Sequence, residues 1–176
     1  ATFQRSITDV AFFMQAIAEA SVYTCSETYL VLRDRLKFFD RFVRNLIWNL
    51  ELAMGCPPII VRARKAWYER LRVRYKLYGC YGPVVEQTNG HIQGCVWSIA
   101  DGECLLSVWS RRQNRVVQRP SRLFLDDSSI ALQSAAEVLH SLAETELFDE
   151  LTGQQCSGAK SVIVVPNQAV ADLILG

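Results

Sequence analysis

The stretch SRLFLDDSSIAL, residues 121 to 132, constrains this chain more than any other. Leu123, Phe124 and Leu125 read as a short buried strand, and Ser128, Ser129 and Ile130 as its return. The adjacent carboxylates Asp126 and Asp127 then occupy the tight turn of a β-hairpin. Aspartate is common in turns because its side chain accepts hydrogen bonds from nearby backbone N–H groups, so the pair alone also fits a purely structural turn. It acquires chemical meaning if other segments supply a third carboxylate and groups suited to a phosphate.

The segments around the hairpin alternate between helix and strand. Ser6 is a candidate N-cap with Asp9 as its acidic partner, and Val10, Phe13, Met14, Ile17, Ala18 and Val22 then recur at helical spacing. TYLVLRD, residues 28 to 34, reads as a strand ending on Asp34, a frequent position for site residues in sheet proteins. A helix is expected from about Asp40 to Met54, closed by Gly55. Pro57-Pro58 restarts the chain into a basic helix over 59–71. RVRYKLYG, 72 to 79, has the period of a strand with one wet, cationic face; Gly79 to Pro83 would turn it back onto Val84-Val85. The glycine-punctuated loop GHIQGCVWS, 90 to 98, leads into a helix ending near Arg112. A further helix is expected over 131–149, then a strand at Val162 to Val165 with Lys160 at its start, then a short terminal helix. This order predicts an α+β fold, an antiparallel sheet with helices packed on one face.

The length of 176 residues suits one domain with a sizeable core, and a net charge of +1 excludes a global basic field. The basic residues are nevertheless bunched. Arg62, Arg64, Lys65, Arg70, Arg72, Arg74 and Lys76 crowd one segment, and Arg111, Arg112, Arg115, Arg119 and Arg122 another. Such stripes, interleaved with aromatics, suit either a polyanion or a solvated face. None of the six cysteines forms a CxxC pair, which fits neither a zinc site nor a disulfide framework and suggests a reducing, intracellular setting. No signal-peptide pattern and no membrane-length apolar run occurs. Both ends look like cuts through a longer protein.

Brought side by side in one sheet, Asp34, Asp126 and Asp127 would form a cluster that repels itself unless cations sit in it. Oxygen ligands favour Mg²⁺, which keeps waters and takes phosphate oxygens as further ligands. Two such ions about 4 Å apart clamp the attacking and leaving oxygens of an in-line phosphoryl transfer. Lys160 and the cationic strands would then suit a triphosphate and a nucleic acid.

Five segments resemble the ordered motifs of reverse transcriptases. DRLKFFD, Asp34 to Asp40, resembles D-L-x-K-A-F-D; GHIQGCVWS resembles G-V-P-Q-G-C-P-L-S; FLDD resembles Y-A-D-D; TGQQCSGAKS resembles G-L-x-L-N-x-x-K-T; and RSITDVAFF resembles the R-S-T-x-D-A segment that precedes the palm. The Q-G-C form looks most like non-LTR (LINE-type) retrotransposon enzymes, with group II intron enzymes the nearest alternative. The resemblance implies a fragment of an RNA-directed DNA polymerase. Residues 1–24 would be the end of the fingers and a helix leading into the palm, and 25–176 the palm-like antiparallel sheet. The thumb and most of the fingers would lie elsewhere in the parent chain, with an endonuclease region as a further expected neighbour.

The same resemblance implies roles. Asp34, Asp126 and Asp127 would hold Mg²⁺, with Mn²⁺ as an alternative. Phe39 falls on the steric-gate position that disfavours a ribose 2′-OH. Gln93 and Gly94 would lie against nucleotide and template, and Lys160 near the triphosphate. The expected partners are an RNA template, a DNA primer and dNTPs, with no membrane. The chemistry would be attack of the primer 3′-OH on an α-phosphate, and the isolated fragment would be inactive. Arg33 and Arg35 depart from the pattern beside Asp34, where a cation would compete with Mg²⁺ if it pointed inward and not if strand alternation sent it outward. Leu125 replaces a smaller residue before the aspartates, and Ile92 and Val96 replace two prolines. The alternative reading is a catalytically decayed mobile-element remnant acting only as an RNA- or protein-binding module. An RNA-directed RNA polymerase is disfavoured by the Q-G motif and Phe39.

Overall fold

The computed structural model describes residues 7–92, 95–119, 121–124 and 126–175. The Ser6 cap, Gln93, Gly94 and Leu125 lie outside them. The fold is α+β. Four strands, β1 (Tyr29–Arg33), β4 (Ser121–Phe124), β5 (Asp127–Leu132) and β6 (Val162–Val164), form an antiparallel sheet in the order β4-β5-β1-β6. A separate antiparallel hairpin joins β2 (Val73–Leu77) to β3 (Cys80–Val85). The helices are α1 (Ile7–Thr24), α2 (Arg44–Ala53), α3 (Pro58–Glu69), α4 (Val96–Val116), α5 (Ala135–Thr152) and α6 (Gln168–Leu175), with a 3₁₀ turn at Phe38–Arg41.

Strand alternation divides the sheet into two unlike faces. Tyr29, Val31, Ile130, Leu132 and Ile163 point to one side and pack with Val138 and Leu142 of α5 and with Val170 and Ile174 of α6. A second core joins the 3₁₀ turn to α2, α4 and α5 through Phe38, Phe42, Ile47, Leu106, Trp109 and Phe148. Between α4 and α5 a polar seam adds specificity. Trp109 Nε1 donates to Thr145 Oγ1 at 3.0 Å, and Gln113 and Ser141 are joined by a 2.8 Å hydroxyl-to-amide bond. The opposite face of the sheet carries Asp127 and leads to Asp34. There α1 leans on β4, with the Arg122 guanidinium 4.0 Å over the Phe13 ring.

Several boundaries differ from the sequence expectation, each for a local reason. β5 runs on to Leu132, which pairs with Tyr29, so α5 starts only at Ala135. Its N-cap is Ser134, whose hydroxyl accepts from the Glu137 N–H, while the Glu137 carboxylate accepts from the Gln133 N–H at 2.8 Å. The expected helix start at Asp40 is a 3₁₀ turn, and α2 begins at Arg44. The β2–β3 connection is a two-residue turn at Tyr78-Gly79 rather than a longer Gly79–Pro83 loop. Both residues have positive φ, +48° and +82°, the combination of a type I′ turn. Neither face of β2 is covered, against the expectation of one dry face; Arg74 through Leu77 are all exposed. Among the described residues no helix is long and apolar enough to cross a membrane.

Candidate active site

Asp34 follows the last residue of β1, and the Arg33–Ser128 pair precedes it. One more step of that antiparallel register sets Asp34 opposite Asp127, on the face not covered by α5 and α6. Asp127 is the first residue of β5 and pairs with Phe124, so it belongs to the strand rather than to the turn expected for it, while Asp126 is in the turn. The third element is the loop before β6. Leu36 N–H donates to Gln155 O at 2.8 Å, Ser157 N–H to Asp34 O at 2.9 Å, and Asp34 N–H to Ser161 Oγ at 3.3 Å. These bonds zip the loop to the Asp34 segment and deliver Lys160, whose Nζ lies 3.4 Å from Asp34 Oδ2. Asp34, Asp126 and Lys160 border a cleft of about 520 Å³, together with Lys37, Phe39 and Ser98. On its other side, Asp34, Asp127 and Lys160 border a second hollow under Val10 and Met14 of α1.

The charges are unbalanced. The Asp127 carboxyl is pushed up by loss of solvent and by the negative charges of Asp126 and Asp34, against the pull of Lys160 and Arg35. Asp127 is an exposed residue, so the like charges carry more physical weight than the desolvation. Three carboxylates facing two cations, one of them buried, fit a site that gains from a hard cation. Among the described residues no three His, Cys, Asp or Glu side chains converge into a metal cage. Mg²⁺ seldom has such an all-protein cage, because waters and substrate phosphates complete its shell.

Both flanking arginines lie on the covered side of the sheet, opposite Asp34. Arg33 Nη1 donates to Cys156 Sγ at 3.4 Å. Arg35 is fully buried between the rings of Trp109 and Phe148, each 5.7 Å from its guanidinium carbon. Its Nη1 donates to Ser128 Oγ at 3.1 Å and to the Asp126 carbonyl at 3.4 Å, and its Nε faces Asp149 Oδ1 at 3.6 Å. Burial pulls this guanidinium below its ordinary value, and the Asp149 charge opposes the shift. Arg35 therefore holds the hairpin turn from beneath, at the floor of the cleft.

Phe39 is half-buried and packs edge-on against Phe38 and Phe42, with ring centroids 5.2 and 5.6 Å away. The loop of the Q-G motif is fastened to this turn. Gly90 N–H donates to Phe42 O at 2.9 Å and His91 N–H to Phe39 O at 2.8 Å. Gly90 is indispensable to that approach, because its φ is +75° and a Cβ there would lie 2.5 Å from the Asp40 carbonyl oxygen. Arg44 Nε donates to Gly90 O at 2.9 Å, and Ser98 Oγ to Ile92 O at 2.9 Å, so the described residues on both sides of Gln93 and Gly94 are anchored.

Beneath the loop lies an ionic network that the sequence did not announce. Arg64 pairs with Glu51 and, at 2.5 Å, with Asp101 Oδ2, while His91 Nδ1 approaches the same Asp101 oxygen at 2.6 Å. Tyr68 stacks on His91 with centroids 4.5 Å apart, and Arg64 lies over Trp97. Burial pushes Glu51 up to about 7, helped by neighbouring Asp101 and opposed by Arg64. For Asp101 burial also pushes upward, but bonds from His91 and Arg64 outweigh it and leave that carboxyl below its usual value. The network thus keeps Asp101 charged and makes Glu51 the proton acceptor. Arg64 accordingly leaves the basic stripe in which the sequence placed it. The second stripe is also partly neutralised, with Arg112 paired to Glu144 at 2.5 Å and Arg119 to Glu137 at 3.3 Å. The only advance signal was the pairing of Glu51 and Arg64 with otherwise helical, apolar surroundings.

The fold, an antiparallel sheet with helices packed against it, is similar to that of solved telomerase structures. The structure of apo telomerase from Candida tropicalis matches with a TM-score of 0.72 at 13% identity, covering 93% of this chain and 32% of the telomerase. A form of that enzyme truncated from its C-terminal domain matches with 0.70 at 14% identity, covering 94% and 36%. The Candida tropicalis telomerase in complex with a TWJ fragment of telomeric RNA matches with 0.71 at 11% identity, covering 93% and 30%. This chain thus spans about a third of the telomerase chains it resembles. No family model and no curated protein matches the sequence.

Proposed function

We propose that this chain is the palm region of an RNA-directed DNA polymerase of the non-LTR retrotransposon kind, with residues 1–24 leading from the fingers and 25–176 forming the palm. One observation carries the reading: Asp34, Asp126 and Lys160, from three distant segments, border one open cleft beside Phe39, and Asp127 shares the adjoining hollow with Asp34 and Lys160. Mg²⁺ held by Asp34, Asp126 and Asp127 would supply charge stabilisation at the α-phosphate. The rest falls to the chain's own groups. Lys160, mostly exposed and ion-paired among the described residues to Asp34, can swing its side chain onto a triphosphate and neutralise its charge. Phe39, braced by two aromatic neighbours, would meet the sugar of the incoming nucleotide and disfavour a 2′-OH. Gln93 and Gly94 would face nucleotide and template from a loop anchored on both sides. The zip between Asp34 and the 155–161 loop fixes the backbone that carries Lys160 against the Asp34 strand, so catalysis rests on positioning.

The test uses the longer parent protein, a primed RNA, dNTPs and Mg²⁺ or Mn²⁺. Primer extension is expected, falling by about 10²-fold or more in Asp126→Asn and Asp34→Asn, as for loss of a charge-stabilising group. Extension indifferent to both substitutions would refute the assignment. A non-catalytic RNA-binding module is the second reading, favoured by the similarity to a telomerase solved with an RNA fragment. No extension alongside retained RNA binding would select it.

A further inference from the structure

The β2–β3 hairpin stands apart from the cleft in both charge and packing. Its strands pair chiefly with each other, and they join neither the main sheet nor its cores. An isolated two-stranded hairpin of this kind is only marginally stable in water. It nevertheless displays Tyr75, Leu77, Tyr78 and Tyr81 to solvent, with Tyr78 at the turn 98% exposed and Tyr81 66% exposed. The pairs Arg74–Val84 and Lys76–Tyr81 place Arg74, Lys76 and Tyr81 on one face, where Lys76 Nζ sits 5.4 Å from the Tyr81 ring centre. Tyr75 and Leu77 point to the other.

The charge balance of this lobe is equally distinct. Residues 58–86 hold seven Lys and Arg against two Glu, in a chain whose net charge is +1. Only Arg64 of the seven is buried. Glu69 is within 4.0 Å of Lys65, and Glu86 pairs with Arg72 at 3.0 Å. Arg62, Arg70, Arg74 and Lys76 have no carboxylate within ion-pair distance among the described residues. Flat, exposed tyrosines between unneutralised cations match the chemistry of unpaired bases and phosphates: any base can stack on a tyrosine, and each phosphate gains from a cation. A protein partner of equal fit would have to bring an acidic, aromatic-lined surface to both faces.

We propose that the β2–β3 hairpin is a binding platform for single-stranded nucleic acid, with bases stacked on Tyr81 and Tyr78 and phosphates held by Arg74 and Lys76. The site is separate from the carboxylate cleft and needs no catalysis. RNA and DNA are both acceptable, since stacking and phosphate contacts do not read the 2′-OH.

The experiment uses the longest chain that carries these residues, with fluorescent oligo(rU), oligo(dT) and a duplex of equal length, followed by anisotropy across a salt series. Tyr81→Ala is expected to weaken binding of both single strands by about 5- to 100-fold, the effect of losing one stacked base. Arg74→Gln with Lys76→Gln is expected to lower the slope of log affinity against log salt by about 1.4, as two released counterions require. A 4-thiouridine oligomer should crosslink to the peptide containing Tyr78 and Tyr81. Every substituted side chain is exposed, so unchanged melting temperatures are expected and serve as the folding control. Affinity within 2-fold of the parent in all variants, with the parental salt slope, would overturn the proposal; so would crosslinks confined to the cleft, or capture of a protein at the hairpin without any oligonucleotide. Asp126→Asn separates the two readings, because it should abolish extension and leave hairpin binding intact.

Discussion

Arg35 offers the sharpest test of how the hairpin is held. Its guanidinium is fully buried, yet Nε and Nη2 make no hydrogen bond among the described residues, so the charge is only half satisfied. Arg35→Met keeps the length of the side chain and removes the ion pair with Asp149 together with the bonds to Ser128 and the Asp126 carbonyl. Asp149 keeps one donor, the Cys156 thiol at 3.2 Å, and is otherwise stranded in the interior. Breaking one side of a buried pair costs about 3–5 kcal/mol, which for a domain of this size lowers Tm by about 6–20 °C. Replacing both partners, Arg35→Met with Asp149→Leu, exchanges a poorly satisfied pair for apolar contact with Trp109 and Phe148, and such exchanges are neutral or stabilising. Thermal melts of the parent, both single variants and the double variant complete the cycle. The double variant is expected within about 2 kcal/mol of the parent and well above Arg35→Met. A single variant as stable as the parent, or a double variant as weak as the sum of the two, would refute the claim that a buried, half-satisfied charge pins the turn.

Gly90→Ala forces a Cβ into the Asp40 carbonyl at a positive φ, so a loss of about 1–3 kcal/mol is expected in urea titration, with the m-value unchanged. An unchanged midpoint would show that the Q-G loop is not pressed against the 3₁₀ turn. Glu51 gives a pH signature. Its carboxyl is raised to about 7 in the fold, so its stabilising contribution is complete below the unfolded value of about 4.3 and is lost as pH climbs through 7. The parent should therefore lose about 3–4 kcal/mol over that window, and Glu51→Gln should flatten the profile. Equal slopes in parent and variant would place the proton elsewhere.

The element order, the hairpin of residues 121–132 and the strand ending in Asp34 were legible because alternation and turn chemistry are local properties. The docking of the Lys160 loop onto the Asp34 segment was not, since the sequence placed Lys160 only at the start of β6. Charges in the interior were not. Arg35 reads as solvent-facing in any hydropathy pattern, and only the strand pairing shows that it falls on the helix-covered side, under Trp109. Arg64 looked like one more cation in a stripe of seven, because its partners Glu51 and Asp101 come from other helices. The Tyr78-Gly79 turn was missed because Tyr78 takes a positive φ that few non-glycine residues adopt. That the expected β2–β3 hairpin stays apart from the main sheet depends on what each strand finds to pair with, which no local pattern records.

The antiparallel register at the end of β1 also acts as a ruler. Asp34 and Asp127 face each other across neighbouring strands, whose separation is fixed by backbone hydrogen bonds at about 4.8 Å. Side-chain drift in the helices can tilt or shift the sheet as a body, but it cannot change that interval. The fold can thus be shared with structures only 11–14% identical in sequence while backbone pairing alone sets this interval. Only a bulge or a register slip in these two strands would take the measure away.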